Sequence, residues 1–266
     1  MHTQGQVLAR LLRIVNGQLK KDANYDIALN ILTHYSEITS YTINDLADKC
    51  FVSTASISRF IRLLGFNSFV DFKVACQNTL KISQTDYSLE TSKAQKEDVE
   101  PIFANYTKHV TDNIEYVFKN LDYSQLNRIC ETMKSCDEIL FLGLEFSTIL
   151  GQHFQNRMAL MNKYIKLGIS CEEQLELAKS MKPNGVVVIA TVEGGYFYRN
   201  NDIVDELINK NAYIIVLTMN NNMKIMKDVK EIVLCSKGNS DTEGRISLLY
   251  CIEIIIMYYF INYSHF

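Results

Sequence analysis

The chain has 266 residues, of which 47% are hydrophobic and 21% are charged. This composition is typical of a soluble globular protein, and the length allows one or two domains. The net charge of −3 at pH 7 excludes a strongly basic chain, so any binding to nucleic acid must come from a local distribution of charge.

The seven cysteines include no C-x-x-C pair, and their number is odd. This pattern argues against a disulfide framework or a zinc site and favours a reducing compartment. We therefore expect a cytoplasmic protein with no metal and no cofactor. The polar start of the chain predicts no secretion signal. The apolar stretch from Ile246 to Ile261 is short and contains Glu253, which favours a buried or interface helix over a membrane span.

Residues 1–80 show helical periodicity without strand signals, which predicts an all-α N-terminal domain. This domain has two more basic than acidic residues, whereas the remainder has five more acidic than basic ones. Residues 81–100 are polar and cannot bury enough apolar surface to fold alone, so we interpret them as a linker. The linker ends at Pro101, a residue suited to the first turn of a helix.

Residues 101–266 alternate helical stretches with short apolar runs, a pattern of βαβ units. Two of the runs are continuously apolar, as in the central strands of a parallel sheet. The five runs are Glu138–Leu142, Lys163–Leu167, Val186–Thr191, Tyr213–Thr218 and Glu231–Cys235. They predict an α/β domain with a five-stranded parallel sheet in a three-layer αβα, Rossmann-like arrangement.

Two short helices joined by a tight turn are predicted inside the N-terminal domain. Thr42 and Asp45 have the spacing of a capping box, and the helix runs from Ile43 to about Cys50. Ser53 caps a second helix, residues 54–64, which ends at Gly65. This arrangement is typical of a helix-turn-helix, in which the second helix enters the major groove of DNA.

The second helix has one apolar face and one polar face. Hydroxyl groups on the polar face allow close approach to DNA, and two arginines three residues apart can bind a guanine edge and a phosphate. We predict that the DNA-contacting residues are Ser53, Thr54, Ala55, Ser56, Ser58, Arg59 and Arg62. The pattern alone leaves open a solvated helix hairpin of no special function.

Three segments closely resemble the DNA-binding domain of the bacterial RpiR/MurR regulators. They are Thr42-Ile43-Asn44-Asp45-Leu46-Ala47, Val52-Ser53-Thr54-Ala55-Ser56-Ile57-Ser58-Arg59-Phe60 and residues 63–73, with Leu64-Gly65-Phe66, Phe69, Phe72 and Lys73. The one departure is Ser56, where the family usually has threonine. The resemblance implies a transcriptional regulator of carbohydrate or amino-sugar genes. It also implies a SIS (sugar isomerase) domain after residue 101, and a homodimer or homotetramer that binds double-stranded, palindromic operator DNA and no membrane.

The resemblance also implies an effector site at two loops of the SIS domain, where a sugar or sugar phosphate binds. The expected ligand-binding residues are Gly143, Glu145, Ser147, Thr191, Glu193, Gly194 and Tyr196. The sequence departs from the family pattern here. Glu145 replaces the second glycine of G-x-G-x-S, while Glu193 and Tyr196 replace the second serine and the threonine of S-x-S-G-x-T.

Both glutamates place a carboxylate where the family binds phosphate. At about 4 Å, like charges near a protein surface repel by roughly 4 kcal/mol. Three interpretations remain open. The site is vestigial and the domain serves dimerisation, or it binds a neutral, cationic or amino sugar, or it binds a sugar phosphate with the carboxylates turned outward or paired with Arg199 or Arg245.

We expect no catalytic residues and no enzyme activity. Two alternatives are a sugar-phosphate isomerase with an accessory helical domain and a dimeric regulator that binds no ligand.

Overall fold

The computed structural model describes residues 7–17, 21–84, 87–95, 99–220, 228–240 and 242–264. The chain divides into two compact units, residues 1–86 and 87–266. The predicted domain limits at residues 80 and 101 remain predictions. The predicted fold class, a helical domain followed by an α/β domain with a five-stranded parallel sheet, is confirmed.

In the described residues of the N-terminal unit, all regular secondary structure is helical. The helices are α1 (Val7–Gly17), α2 (Ala23–Thr33), α3 (Ile43–Lys49), α4 (Thr54–Leu63) and α5 (Phe69–Gln84). One apolar core joins them, with Leu11, Ile31, Ile57 and Phe72 fully buried.

Local side-chain bonds set the ends of the two central helices. The Thr42 hydroxyl accepts from the backbone N–H of Asp45, and the Asp45 carboxylate accepts from that of Thr42, which completes the predicted capping box. Ser53 caps α4 by accepting from the N–H of Ser56. The observed ends of α3 and α4 lie within one residue of the predicted ends, because capping is determined by neighbours in sequence.

The segment that follows α4 fixes this helix to the rest of the unit. Gly65 has a φ of 84°, the left-handed conformation that ends helices and suits glycine. Phe66 and Phe72 pack edge to face with their ring centroids 5.6 Å apart. From α1, the Arg10 guanidinium donates to the carbonyl of Leu64. The end of α4 is therefore held by contacts from two other elements.

The segment 81–100, predicted as a linker, contains more helix than its polar composition suggests. It includes the last turn of α5, the short helix α6 (Leu89–Lys93) and the start of α7 (Val99–Lys119). The Ser88 side chain caps α6 by accepting a hydrogen bond from the N–H of Thr91. This local bond stabilises a helix that buries little apolar surface. Pro101 lies in the first turn of α7, as predicted.

The second unit contains a parallel sheet in the order β2-β1-β3-β4-β5. Its strands are β1 (Ile139–Gly143), β2 (Ile165–Leu167), β3 (Val186–Thr191), β4 (Tyr213–Thr218) and β5 (Glu231–Leu234). The helices after α7 are α8 (Tyr123–Ser135), α9 (Phe146–Ala159), α10 (Cys171–Ser180), α11 (Gly195–Arg199), α12 (Asn201–Asn209) and α13 (Gly244–Tyr263). All five predicted strands are present, with ends that differ by no more than two residues.

Alternate residues of each strand face opposite layers of helices. Val186 and Val188 of β3 belong to the core formed with α7, α8, α9 and α13. Val187 and Ile189 belong to the core formed with α10, α11 and α12. The unit therefore has three layers, and the carboxyl ends of the five strands meet at one edge of the sheet.

Helix α13 is long and apolar enough to span a membrane by length and composition, and it is the one described helix that passes this test. Leu248, Ile252 and Ile256 are nevertheless buried in the core against the sheet. The core helix of a soluble protein has the same composition. This burial accords with the sequence-based interpretation of the stretch as a buried helix.

The seven cysteines are free thiols, and all except Cys136 are buried. Burial raises the pKa of Cys50 to about 11 and that of Cys130 to about 12. Cys136 is half-buried at the end of α8, where its thiol lies 3.0 Å from the carbonyl oxygen of Glu138.

The cap on α4 generates a first prediction. Ser53→Ala should lower the free energy of unfolding of the N-terminal unit by about 1 kcal/mol, because the N–H of Ser56 loses its acceptor. Chemical denaturation followed by circular dichroism measures the change. Ser58→Ala, within the same helix, is the control and should be neutral or slightly stabilising, since alanine favours a helix interior. Equal losses from both substitutions would contradict a capping role for Ser53.

Candidate DNA-binding helix and sheet-edge site

The polar face of α4 carries exposed Thr54, Ala55, Arg59 and Arg62, whereas Ser56 and Ser58 are half-buried. Ile57, Phe60 and Ile61 are buried beneath it. All seven predicted DNA-contacting residues lie on the opposite side or at the start of the helix, and the side chains of Arg59 and Arg62 are exposed. Their role in binding DNA remains a prediction, but the fold places them together on one surface.

A chain of side-chain hydrogen bonds runs along the first turn of α4. The Ser53 and Ser56 hydroxyl oxygens are 3.0 Å apart, and Arg59 Nη2 donates to the Ser56 hydroxyl over 3.1 Å. This bond draws the Arg59 guanidinium towards the helix N-terminus. In a helix-turn-helix, that end of the second helix faces the base edges. Ser56 therefore orients Arg59, a role that spacing alone did not reveal.

The turn between α3 and α4 contains an unusual residue. Phe51 has a φ of 54° and its side chain is 93% exposed. Glycine and asparagine adopt this conformation more readily, and an exposed phenylalanine gains no burial. Val52, next to it, packs against the core of the unit and anchors the turn.

The second candidate site lies at the carboxyl edge of the sheet, where loops follow β1 and β3. Glu145 is exposed and caps α9 without a side-chain hydrogen bond to the helix N-terminus. Its φ of 49° and ψ of −111° lie outside the regions allowed for most residues with a side chain. The backbone thus keeps a conformation that suits the family's glycine, although the residue is a glutamate.

The hydroxyl residues of the two loops are turned into the protein. Ser147, Thr191 and Tyr196 are 4%, 5% and 1% exposed, respectively. Gly143 approaches Ser147 so closely that a Cβ at residue 143 would lie 2.5 Å from the Ser147 Cβ. Gly194 has a φ of 81°, a left-handed conformation that suits glycine, and is the N-cap residue of the short helix α11.

A buried network connects the two loops through Gln174, a residue that the sequence analysis did not identify. The Tyr196 hydroxyl donates to Gln174 Oε1 over 2.7 Å, and Gln174 Nε2 donates to the carbonyls of Gly143 at 2.8 Å and Gly168 at 3.0 Å. Burial raises the pKa of Tyr196 well above its usual range. Tyr196 therefore fixes the loops from beneath. The signal that could have revealed Gln174 is its position four residues before Ala178 on the buried face of α10.

The groups that face solvent at this edge include two carboxylates. Glu193 is exposed, and its Oε1 accepts from Asn239 Nδ2 over 3.3 Å. A third carboxylate, Glu243, is buried, accepts from the N–H of Ser240 over 2.7 Å and lies 3.9 Å from His109 Nδ1. The edge therefore combines acidic groups with loop hydroxyls that are not accessible.

Two arginines, Arg199 and Arg245, follow the loops in sequence and are the predicted partners of the loop carboxylates. The Arg245 guanidinium lies over the ring of Phe146, 5.9 Å from its centroid, at the residue next to Glu145. Arg199 is exposed at the end of α11. The contact with Phe146 therefore places the Arg245 guanidinium beside the first loop.

Comparison with known proteins assigns the N-terminal unit to the helix-turn-helix class of DNA-binding domains. Residues 11–83 match the model of the helix-turn-helix domain of the rpiR family. The chain thus carries an RpiR-type helix-turn-helix domain, as the sequence resemblance implied.

Curated relatives of the chain are described as HTH-type transcriptional regulators. One from Providencia stuartii is 24% identical over 174 residues, which are 65% of this chain and 61% of the relative. One from Thermotoga maritima is 26% identical over 154 residues, which are 56% of this chain and 51% of the relative. The matched region spans between about half and three fifths of the length of these relatives.

Solved structures share the fold at low sequence identity. The NanR protein of Vibrio vulnificus, solved with ManNAc-6P, matches with a TM-score of 0.54 and 17% identity, covering 97% of this chain and 92% of NanR. A proposed sugar-phosphate isomerase from Listeria monocytogenes matches with a TM-score of 0.55 and 10% identity, covering 65% of this chain and 94% of that one. The second unit therefore has a SIS-like fold.

The backbone at residue 145 generates a second prediction. Glu145→Gly should raise the free energy of unfolding of the sheet unit by about 1 kcal/mol, because glycine adopts the observed φ and ψ without strain. Thermal unfolding measured by calorimetry tests this. Glu145→Ala is the matched control, since it removes the carboxylate but keeps a Cβ. If alanine stabilises as much as glycine, charge rather than backbone strain is the cause.

Proposed function

We propose that the protein is a cytoplasmic, homodimeric transcriptional regulator that binds palindromic operator DNA through α4 and senses a carbohydrate through its SIS-like unit. The observation that carries this proposal is the polar face of α4, with Arg59 and Arg62 exposed in an RpiR-type helix-turn-helix domain. The chain is also similar to proteins that are described as HTH-type transcriptional regulators, which supports the same proposal.

The chemistry of α4 suits double-stranded DNA. Hydroxyls at the start of the helix accept and donate hydrogen bonds, and the backbone N–H groups of the first turn favour phosphate. Arg59, held near that end by Ser56, is placed to read a guanine edge, whereas Arg62 lies nearly one turn further along and suits a phosphate. Two such helices related by a two-fold axis would read a palindrome.

The geometry of the sheet edge favours an effector without a phosphate group. Glu145 and Glu193 are exposed in the two loops that bind phosphate in the family pattern, and the Ser147 and Thr191 side chains are buried. Repulsion by two carboxylates would offset much of the energy of phosphate binding. We therefore propose a neutral or amino sugar as ligand, and we propose that the protein is not an isomerase.

The DNA-binding proposal is tested with duplexes selected by the full-length protein from a random library. Arg59→Ala should weaken binding by about 1–3 kcal/mol and relax the sequence preference at one position. Arg62→Ala should weaken binding to all sequences alike. The slope of log K against the logarithm of the salt concentration should become less negative by about 0.9, because one phosphate contact is lost. Fluorescence anisotropy over a range of salt concentrations measures both effects.

Lys108→Ala provides the control for the change in net charge, because Lys108 is exposed on α7 in the other unit. Its affinity for DNA should equal that of the wild type. Wild-type affinity in both arginine variants, or failure to select any sequence, would contradict the proposal.

The effector proposal is tested by the thermal stability of the protein in matched pairs of sugars with and without a 6-phosphate. A ligand that binds the folded state raises the melting temperature. We expect stabilisation by the unphosphorylated member of a pair. The variant with both Glu145→Gly and Glu193→Ser should gain affinity for the phosphorylated member, because it removes the two exposed carboxylates.

Tight binding of sugar phosphates to the wild type would refute the proposed ligand class while leaving DNA binding intact. Turnover of hexose, pentose or amino-sugar phosphates would instead favour the isomerase alternative.

A further inference from the structure

A recess separate from the sheet-edge loops lies where α7 ends, α8 begins and the edge strand β5 meets α13. Its volume is about 280 Å³. Buried side chains from three helices form much of its wall, among them Val117, Leu126, Ile129 and Cys251. Val233 of β5 and Ile254 of α13 are partly exposed and also contribute to the wall.

The recess lies at the outer edge of the sheet, among three helices and the last strand. Strand β5 is an edge strand with a neighbour, β4, on one side. Helices α7 and α8 are joined by a short turn at residues 120–122, beside this edge. Protein interiors are normally packed with few voids larger than a water molecule. The recess opens to solvent at Asn120 and Asp122, so a small molecule can enter it and cover its apolar wall.

Three polar side chains around the recess, Asn120, Asp122 and Gln125, make hydrogen bonds within the protein. Asp122 Oδ1 accepts from the N–H groups of Ser124 at 2.8 Å and Gln125 at 3.1 Å. Gln125 Nε2 donates to Glu231 Oε2 at 2.9 Å and to the carbonyl of Ile232 at 3.1 Å. Asn120 Nδ2 donates to the carbonyl of Tyr116 over 2.8 Å.

The apolar wall determines the chemistry of the occupant. A charged or strongly polar ligand would lose its hydration against Val117, Leu126 and Ile129, which offer it no hydrogen bonds, and this loss is costly. Ordered water also needs two or more polar partners in order to fill a cavity. The occupant is therefore neutral and apolar.

The volume determines its size. An engineered apolar cavity of about 150 Å³ in another protein accepts benzene. A recess with about twice that space accommodates two fused rings or a branched hydrocarbon of similar size. We propose that this recess binds a small neutral apolar molecule, of the size of a bicyclic aromatic, at a site distinct from the sheet edge.

The test uses naphthalene as the neutral probe and 2-naphthoate as its charged counterpart, each added to the wild-type full chain. Naphthalene should bind at one saturable site, and 2-naphthoate at least tenfold more weakly. In methyl NMR spectra, ring-current shifts should be concentrated at Val117, Val233 and Ile254, with none in the N-terminal unit. Absence of saturable binding up to the solubility limit, or shifts centred elsewhere, would overturn the proposal.

Two substitutions that reduce the recess provide an independent measurement. Ile254→Phe and Val233→Phe should each weaken naphthalene binding at least tenfold. Met257→Phe is the matched control, because Met257 follows Ile254 by three residues on α13 but is exposed and outside the recess. Unchanged affinity in a folded Ile254→Phe or Val233→Phe protein would contradict the assignment. Should neither variant fold, the NMR shifts of the wild type decide.

Discussion

The second unit depends on the requirement that a parallel sheet be covered on both faces. Strands β3 and β4 have no polar face, so helices must pack on each side, and every connection must cross from one end of the sheet to the other. The loops that follow the strands therefore gather at one edge, whatever their sequence. Residues far apart in the chain, such as Glu145 and Glu193, belong to one surface for this reason, and Gln174 can join the loops from beneath.

Much of this architecture could be predicted from the sequence, because its determinants are local. Short apolar runs predicted all five strands, and the Thr42 and Ser53 caps predicted the starts of α3 and α4. The exposure of loop residues could not be predicted in the same way. Ser147 matches the family pattern in sequence, but it is buried at the start of α9, where it packs closely against Gly143. Tyr196 is buried on α11, and its hydroxyl is engaged by Gln174. Apolar patterning also missed helix α6, since a serine cap defines it.

The DNA-binding helix and the sheet-edge loops differ in how well their residue types suit the backbone conformation. On α4, side chains and backbone fit one another, and most of the predicted residues, including both arginines, are exposed. At the sheet edge, the backbone of residue 145 has a shape suited to glycine while the side chain is a carboxylate. Such a mismatch between conformation and residue is a feature of sites with a functional constraint, past or present. The sequence of α4 follows the family pattern closely, whereas the sequence of the sheet edge departs from it at residues 145, 193 and 196.

The distribution of the cysteines has a practical consequence for labelling. Alkylating reagents react with the thiolate, and burial keeps thiols such as Cys50, Cys76 and Cys130 in their protonated, inaccessible form. Cys136 is the half-buried thiol and lies where α8 leads into the sheet. A maleimide dye added briefly near neutral pH will therefore attach first to Cys136. The native chain thus offers one attachment point for a fluorophore or spin label without prior removal of the other six thiols.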